Sequence, residues 1–305
     1  MQRLLLFFCS ITMISCSVLQ SSGVGLDEKT FQVQTSSGVV NNDLGSSDLE
    51  IITWQDIPFA QPPVGDLRWR APRPLDSPRQ IISPKDDTAC VQKASVYAGA
   101  TGEGIVGSED CLYLDITAPV DFKDKSYPVM FWIHGGGNTS GLKDYYDYSK
   151  LVSTRDVVVV RTNYRLGALG WFTHPSIQGS QEGIDKTSNF GTLDIIQSLK
   201  WVQTNISKFG GDPTNVTIFG ESAGGHNVFA LLSSPMADGL FHKAISQSGY
   251  TSSYSLEDAV NENGTNRLIE RGSSQIIDRE FGSGVDGHLL RSKLKEMDAR
   301  AFMDS

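Results

Sequence analysis

The sequence predicts an α/β fold with a central, mostly parallel β-sheet and antiparallel strands towards its N-terminus. Four apolar runs, at residues 128–133, 157–160, 215–219 and 244–247, have the length and continuous hydrophobicity of strands that are buried on both faces. Between them, residues 193–206 carry apolar side chains at helical spacing. Strands that alternate with helices indicate a parallel sheet with crossover helices.

Shorter strand-like segments precede this region. Residues 31–34 and 39–40 are separated by small residues and Gly, which is typical of an antiparallel meander. Residues 58–78 are rich in proline, which fixes φ and removes a backbone donor. We therefore expect a structured loop rather than a helix in that segment.

The composition excludes several classes of protein. The 305 residues are 39% hydrophobic and 20% charged, which argues against a disordered chain, collagen or a coiled coil. The net charge of −9 argues against a nucleic-acid binder, because such proteins normally carry a basic face. No cluster of His, Cys and Asp has metal-ligand spacing and no Walker-type phosphate loop is present, so we expect neither a metal nor a cofactor.

The N-terminus resembles an export signal. Arg3 precedes a mostly apolar segment at residues 4–14, which is too short to span a bilayer comfortably. A small residue then precedes Cys16, as in a bacterial lipobox, so we expect a signal peptide at 1–15, a lipidated Cys16 and a small, polar tether at 16–30. The alternative is an ordinary cleaved signal peptide with an incidental cysteine. Both alternatives predict an exported protein, either a membrane lipoprotein or a secreted one.

The remaining cysteines suit a disulfide. Cys9 lies in the apolar segment and Cys16 at the cleavage site, which leaves Cys90 and Cys111 in the folded part. Two cysteines in an exported chain most simply form one disulfide. A closed loop of about 20 residues corresponds to about 3 kcal/mol in the chain-entropy estimate. Two free buried thiols are the alternative.

The strongest chemical signal is a G-x-S-x-G motif at residues 220–224, centred on Ser222. It follows a strand-like run and precedes a plausible helix, which is the context of a nucleophile elbow. The glycines keep the tight turn free of side-chain clashes, and the helix N-terminus favours developing negative charge near the serine. A chance match in a glycine-rich chain would not predict this context.

A second motif, His-Gly-Gly-Gly at residues 134–137, follows the strand at 128–133. Acyl transfer requires donors that point at the oxyanion of the tetrahedral intermediate, and a glycine-rich turn exposes backbone N–H groups for that purpose. The two motifs predict each other, since one supplies a nucleophile and the other part of an oxyanion hole. A flexible connecting turn is the alternative.

These motifs belong to a longer series that resembles the type-B carboxylesterase/cholinesterase-like family of α/β-hydrolases. Blocks similar to the family occur in the family's order at residues 54–74, 108–116, 134–137, 163–172, 189–213, 216–225 and 241–249. The resemblance implies an α/β-hydrolase fold and a carboxylic ester hydrolase that forms a serine acyl-enzyme. It also implies a small-molecule carboxylic ester as the substrate.

The resemblance assigns roles to individual residues. Ser222 would be the nucleophile, and the N–H groups of Gly136, Gly137 and Ala223 would bind the oxyanion. Glu221 matches an acidic residue that shapes the electrostatics of the family's gorge.

The resemblance also covers the cysteines, since Cys90 and Cys111 match the first disulfide of the family. Three positions depart from the usual pattern. They are Asp115 in place of Asn, Asn138 in place of Phe and Ile195 in place of Gln. Of these, Asn138 is expected to alter the pocket wall.

A general base is missing from the predicted site. A serine hydroxyl is a weak nucleophile until a base removes its proton, and in this fold the acid and the histidine follow the serine in the chain. The chain has five histidines: His134, His174, His226, His242 and His288. We expect His226 to serve packing or a polar contact, and His288 to begin a helix at 287–303.

The domain at 31–305 is therefore expected to be an incomplete catalytic domain that lacks the triad acid and histidine, with a complementing C-terminal half as a partner. Two alternatives remain, a non-catalytic cholinesterase-like binding protein and an inactive remnant. Asn-x-Ser/Thr sites at Asn138, Asn205, Asn215 and Asn263 are consistent with chance.

Overall fold

A computed structural model describes residues 31–42, 50–96, 99–261 and 272–304. The predicted signal peptide, the tether and the lipidated Cys16 lie outside these ranges. The strands are β1 (Val33–Thr35), β2 (Gly38–Val40), β3 (Ile51–Pro58), β4 (Arg79–Ile82), β5 (Gln92–Ser95), β6 (Ala100–Val106), β7 (Tyr113–Pro119), β8 (Tyr127–Ile133), β9 (Val158–Thr162), β10 (Gly211–Glu221) and β11 (Lys243–Gln247). The helices are α1 (Ser149–Arg155), α2 (Gly167–Gly170), α3 (Pro175–Gln178), α4 (Phe190–Asn205), α5 (Ala223–Ser233), α6 (Leu256–Val260), α7 (Ser273–Phe281), α8 (Gly287–Glu296) and α9 (Ala299–Asp304).

The central sheet has six strands in the order β11-β10-β8-β9-β7-β3. The neighbouring pairs are parallel from β11 to β9, whereas β7 is antiparallel to both β9 and β3. The four apolar runs of the sequence form the parallel part, and the earlier strands form the antiparallel edge. The predicted arrangement, a mostly parallel sheet with N-terminal antiparallel strands, is therefore confirmed. The expectation of burial on both faces is wrong for the run at 244–247, because β11 lies at the edge of the sheet and most of its residues are exposed.

Helix α4 covers one face of this sheet. Its buried apolar residues, such as Leu199 and Val202, belong to the same core as Phe131, Val160 and Ile218 on three neighbouring strands. These strand residues lie in register across β9, β8 and β10. The helical spacing predicted from the sequence therefore corresponds to a face that packs on the sheet.

The N-terminal segment forms the expected hairpin, because β1 and β2 pair in antiparallel register. The turn of this hairpin is attached to the end of α4 by Asn205, whose side chain is fully buried. The Asn205 carboxamide accepts the Ser36 N–H at 2.9 Å and donates to the Ser36 hydroxyl at 2.9 Å and to the Trp201 carbonyl at 3.0 Å. This amide joins two segments that are far apart in the chain.

The segment at residues 287–303 differs from the prediction of one helix. Helix α8 ends at Glu296 and α9 begins at Ala299, so the two are separate. The break has a local cause, because the Asp298 carboxylate accepts the N–H groups of Arg300 and Ala301 at 3.0 Å. A side chain that caps a new helix start competes with continuation of the preceding helix.

His288 lies in the first turn of α8, as predicted, where Asp286 accepts its backbone N–H. Within the described ranges, no helix combines the length and the apolar character that a membrane crossing requires.

Candidate active site

Ser222 lies on a sharp turn between β10 and α5. Its backbone has φ 55° and ψ −116°, a conformation that residues with a Cβ rarely adopt. The turn is fixed from both sides, since the Ser222 N–H donates to the Gln247 carbonyl at 2.8 Å and its carbonyl accepts the His226 N–H at 2.9 Å. The strand–turn–helix geometry predicted from the motif is present.

Close backbone packing explains the two glycines of the motif. A Cβ on Gly220 would lie 2.5 Å from the Gly224 carbonyl carbon, and a Cβ on Gly224 would lie 2.1 Å from the Ile133 carbonyl oxygen. Both contacts are with backbone atoms, which cannot rotate away. The sequence therefore requires glycine here for space rather than for flexibility.

The His-Gly-Gly-Gly turn packs directly against this elbow. A Cβ on Gly135 would lie 2.7 Å from the Glu221 carbonyl oxygen and 3.3 Å from the Ser222 Cβ. Gly136 and Gly137 follow with φ values of 98° and 66°, and both are exposed. Neither of their N–H groups donates to another residue in the described part of the chain. The structure thus brings together the two motifs that the sequence singled out.

His134 at the start of this turn is buried and has a structural environment. Its Nδ1 lies 2.9 Å from the Gly135 carbonyl, its carbonyl accepts the Tyr164 hydroxyl at 2.7 Å, and the two rings stack at 4.3 Å. Burial lowers the pKa of His134 to about 4, so the ring is neutral at pH 7. Its position inside the core removes it as a candidate base.

The rings of three other histidines also have partners other than the Ser222 hydroxyl. The His226 Nδ1 lies 2.8 Å from the Tyr250 carbonyl, and the two rings stack at 4.4 Å. The His174 ring contacts Ser176, and the His242 ring accepts the Val216 N–H. Within the described residues, no hydrogen bond joins a histidine ring to Ser222. The predicted polar contact of His226 is present.

Asn138, the residue after the three glycines, has φ 59°, which Asn tolerates better than most residues. Its Oδ1 accepts the Asn227 Nδ2 at 2.9 Å, and its carbonyl accepts the Gly167 N–H at 2.7 Å. Asn227 is buried on α5, so this amide pair joins the turn to the helix that follows the nucleophile. Ile195, another departure from the family pattern, lies fully buried in the core.

A cleft of about 1100 Å³ borders the glycine turn and helix α5. Gly137 and Asn138 line it on one side, and His226 and Tyr250 line it on another. Apolar residues such as Leu193 and Met236 contribute part of the wall. An apolar cleft with a few polar groups beside the glycine turn is suited to a small organic ligand.

A buried cluster of charges stabilises the segment that follows the turn. The Lys143 ammonium lies 2.8–2.9 Å from carboxylate oxygens of Asp56, Asp115 and Asp144, and Arg161 lies 3.3 Å from Asp115. Burial raises the pKa of Asp115 to about 7, and the Lys143 charge opposes that rise. Asp115 departs from the residue that is usual in the family, but no sequence pattern near Asp115 identifies Lys143 as its partner.

The predicted disulfide between Cys90 and Cys111 is present, and both cysteines are buried. A buried salt bridge provides a second constraint, since the Arg165 guanidinium donates two hydrogen bonds of 2.7 and 2.8 Å to the Asp194 carboxylate. Both residues are buried, and the pair connects the segment after β9 to α4.

Comparison with known proteins agrees with this geometry. A profile described as "Carboxylesterase family" matches residues 29–275. This chain belongs to the carboxylesterase family. It is 42% identical over 229 residues to a fumonisin B1 esterase from Sphingopyxis macrogoltabida, covering 73% of this chain and 40% of that protein. It is 42% identical over 222 residues to a para-nitrobenzyl esterase from Bacillus subtilis, covering 71% and 44%.

Solved structures show the same fold. A thermophilic para-nitrobenzyl esterase superimposes with a TM-score of 0.75 at 34% identity, covering 89% of this chain and 52% of the other. A carboxylesterase from Geobacillus stearothermophilus gives a TM-score of 0.71 at 32% identity. The chain has the α/β-hydrolase fold, and it spans about half the length of these relatives.

Proposed function

We propose that Ser222 attacks the carbonyl carbon of a small-molecule carboxylic ester and forms an acyl-enzyme. The serine proton passes to a general base and then to the departing alcohol, and a water molecule afterwards releases the carboxylic acid. The observation that carries this proposal is the strained Ser222 backbone in direct contact with the glycine turn. Ester hydrolysis is also the chemistry named in the matching relatives.

The oxyanion of the tetrahedral intermediate would be bound by the N–H groups of Gly136, Gly137 and Ala223. The first two are exposed and have no protein acceptor in the described chain, and Ala223 is the first residue of α5. The helix N-terminus adds a favourable field for negative charge. Glu221 precedes the nucleophile, where its carboxylate would set the local electrostatic potential of the cleft.

The base and acid would come from a segment that corresponds to the other half of the relatives. This proposal is supported by the ring contacts of His134, His226 and His242, none of which involves the Ser222 hydroxyl. The edge strand β11 is also exposed, with Ile245 46% accessible. Such an edge provides backbone groups on which a further strand can pair, either from a longer chain or from a complementing polypeptide.

The domain at 31–305 would then hold the nucleophile and oxyanion turn, and the triad acid and His would lie outside it. Residues 1–15 would direct export, Cys16 would carry the lipid, and residues 16–30 would separate the domain from a membrane. Mass spectrometry of the mature N-terminus tests this part, since a diacylated Cys16 and an unmodified mature N-terminus have different masses.

Retention of Ser222 and of the glycine turn favours the enzyme over a non-catalytic binding protein. A fluorophosphonate probe tests this directly, because it reacts with activated serine hydroxyls. We expect labelling of Ser222 in a protein that includes the complementing segment, and loss of labelling in Ser222→Ala. The control is Ser153→Ala, which removes an exposed hydroxyl from α1, outside the lining of the cleft.

For the 305-residue chain alone, we expect little or no hydrolysis of p-nitrophenyl acetate. Robust turnover that Ser222→Ala abolishes would refute the proposed absence of the base. Failure of the complemented protein to label at Ser222 would refute the proposed function and favour the binding protein. A chain that aggregates and shows no cooperative unfolding would favour the inactive remnant.

A further inference from the structure

The turn that carries the proposed oxyanion donors, residues 134–141, is held by hydrogen bonds within itself, and its last residue is buried. The Gly136 carbonyl accepts the N–H groups of Thr139 at 3.1 Å and Ser140 at 3.0 Å. The turn then ends at Gly141, which is buried. Because Gly136 and Gly137 are exposed, their placement depends on the way in which the two ends of the turn are held.

The buried end of the turn fits closely against its beginning. Gly141 has φ 132°, and a Cβ at this position would lie 2.1 Å from the His134 Nδ1 and 2.6 Å from the Gly135 carbonyl oxygen. His134 and Gly135 lead from β8 into the proposed oxyanion donors. Any displacement of Gly141 is therefore transmitted to the residues that precede those donors.

One side chain from a distant part of the chain holds Gly141 in place. The Gln92 Oε1 accepts the Gly141 N–H at 2.8 Å, and the Gln92 Nε2 donates to the Gly141 carbonyl at 2.8 Å. The same Nε2 donates to the Cys90 carbonyl at 3.0 Å. Gln92 is fully buried, and Cys90, two residues before it, is cross-linked to Cys111. The Gln92 carboxamide thus pairs with both the N–H and the carbonyl of Gly141, in the way that a residue of a neighbouring β-strand would.

Gly141 has no second partner to replace this contact. In the described chain, its N–H and carbonyl make hydrogen bonds with Gln92 alone. Without the carboxamide, both buried backbone groups would be unpaired, which is costly in the absence of water. The turn would have to open until solvent reached them.

We propose that Gln92 is a positioning residue for the oxyanion turn. It does not contact the cleft, and it acts by fixing Gly141 and thereby the orientation of the Gly136 and Gly137 N–H groups. The inference that this affects catalysis rests on the proposed oxyanion role of those two glycines. The inference that Gln92 holds the turn in place does not depend on that oxyanion role.

The test compares Gln92→Met, which retains the length of the side chain without its hydrogen bonds, with the parent 305-residue chain. Amide hydrogen exchange is followed by NMR at Thr139 and Ser140, whose N–H groups do not bond to Gln92. We expect their exchange to accelerate at least tenfold, while amides in the centre of β8 change less than twofold. A matched control is Gln203→Met, because Gln203 also donates to two carbonyls but lies away from the turn.

Unchanged exchange at Thr139 and Ser140, or a uniform rise throughout β8, would overturn the proposal. If Gln92→Met does not fold, Gln92→Asn tests the same contact, since the shorter amide cannot reach Gly141. In a complemented protein that labels at Ser222, we also expect Gln92→Met to slow fluorophosphonate labelling at least tenfold and Gln203→Met to leave it unchanged. Absence of labelling in the parent protein would contradict the proposed function, whereas the exchange experiment would still decide the role of Gln92.

Discussion

His134 is expected to make the folded state sensitive to acid. Burial lowers its pKa to about 4, whereas a histidine in an unfolded chain titrates near about 6.5. Between these values the unfolded chain binds a proton that the folded chain excludes, so protonation favours unfolding. The stabilisation is therefore complete above about pH 6.5 and is lost as the pH falls towards 4.

The size of this effect follows from the two pKa values. From pH 7 to pH 4.5, the linkage relation gives a loss of about 2 kcal/mol in the free energy of unfolding for this single group. We expect His134→Gln, which cannot titrate, to show a pH-dependent loss smaller by about that amount. The assay is urea denaturation at the two pH values. For each protein, the free energy of unfolding at pH 4.5 is subtracted from that at pH 7, so that any pH-independent effect of the substitution on packing cancels.

Two further measurements make the result decisive. His288→Gln removes an exposed histidine and shows how much of the change follows from removing any histidine. NMR of the His134 ring in the folded protein should show a neutral imidazole at pH 5.5. A pH-dependent loss in His134→Gln equal to that of the parent protein, or a charged ring at pH 5.5, would refute the reasoning.

Three other predictions concern the framework of the site. Replacing Cys90 and Cys111 together by serine should lower the free energy of unfolding by about 3 kcal/mol, measured by urea denaturation, and a loss below about 1 kcal/mol would contradict the loop-closure estimate. Gly135→Ala should push the turn away from the elbow and slow fluorophosphonate labelling of Ser222 about a hundredfold in a complemented protein, by analogy with loss of an oxyanion donor. Labelling at the parent rate would show that the turn does not contribute. Asp194→Asn leaves its buried arginine partner unpaired and should cost about 3–5 kcal/mol in thermal or urea unfolding, and a neutral result would mean that the pair is replaceable.

Features encoded in local pattern could be predicted from the sequence. The strands at 128–133 and 157–160 are continuous apolar runs because most of their residues are buried in the middle of the sheet, and the elbow at Ser222 is specified by glycines within two residues of it. The helix at 287–303 was predicted as one element because its apolar spacing continues across the break. The Asp298 cap that divides it depends on a side-chain conformation, which periodicity does not report.

The partners of buried polar groups could not be predicted in the same way. Gln92 and Gly141 are 49 residues apart in the chain, and Lys143 and Asp115 are 28 apart. Each pair forms because the sheet brings distant loops together, and neither residue carries a pattern that identifies its partner. The order of the site residues follows from resemblance to a family, whereas the contacts that support them depend on how the fold brings distant segments together.

The buried Asn205 has a consequence for the choice of an expression host. Asn205, Ile206 and Ser207 form an Asn-x-Ser acceptor, and oligosaccharide transfer in a eukaryotic secretory pathway requires an accessible asparagine amide. In the folded protein this amide is enclosed and donates two hydrogen bonds. A glycan could therefore be attached only before folding, and once attached it would prevent the hairpin turn from docking on α4. We therefore expect that glycosylation at Asn205 during secretion from yeast or insect cells would prevent correct folding. A bacterial host that does not glycosylate this site avoids the problem.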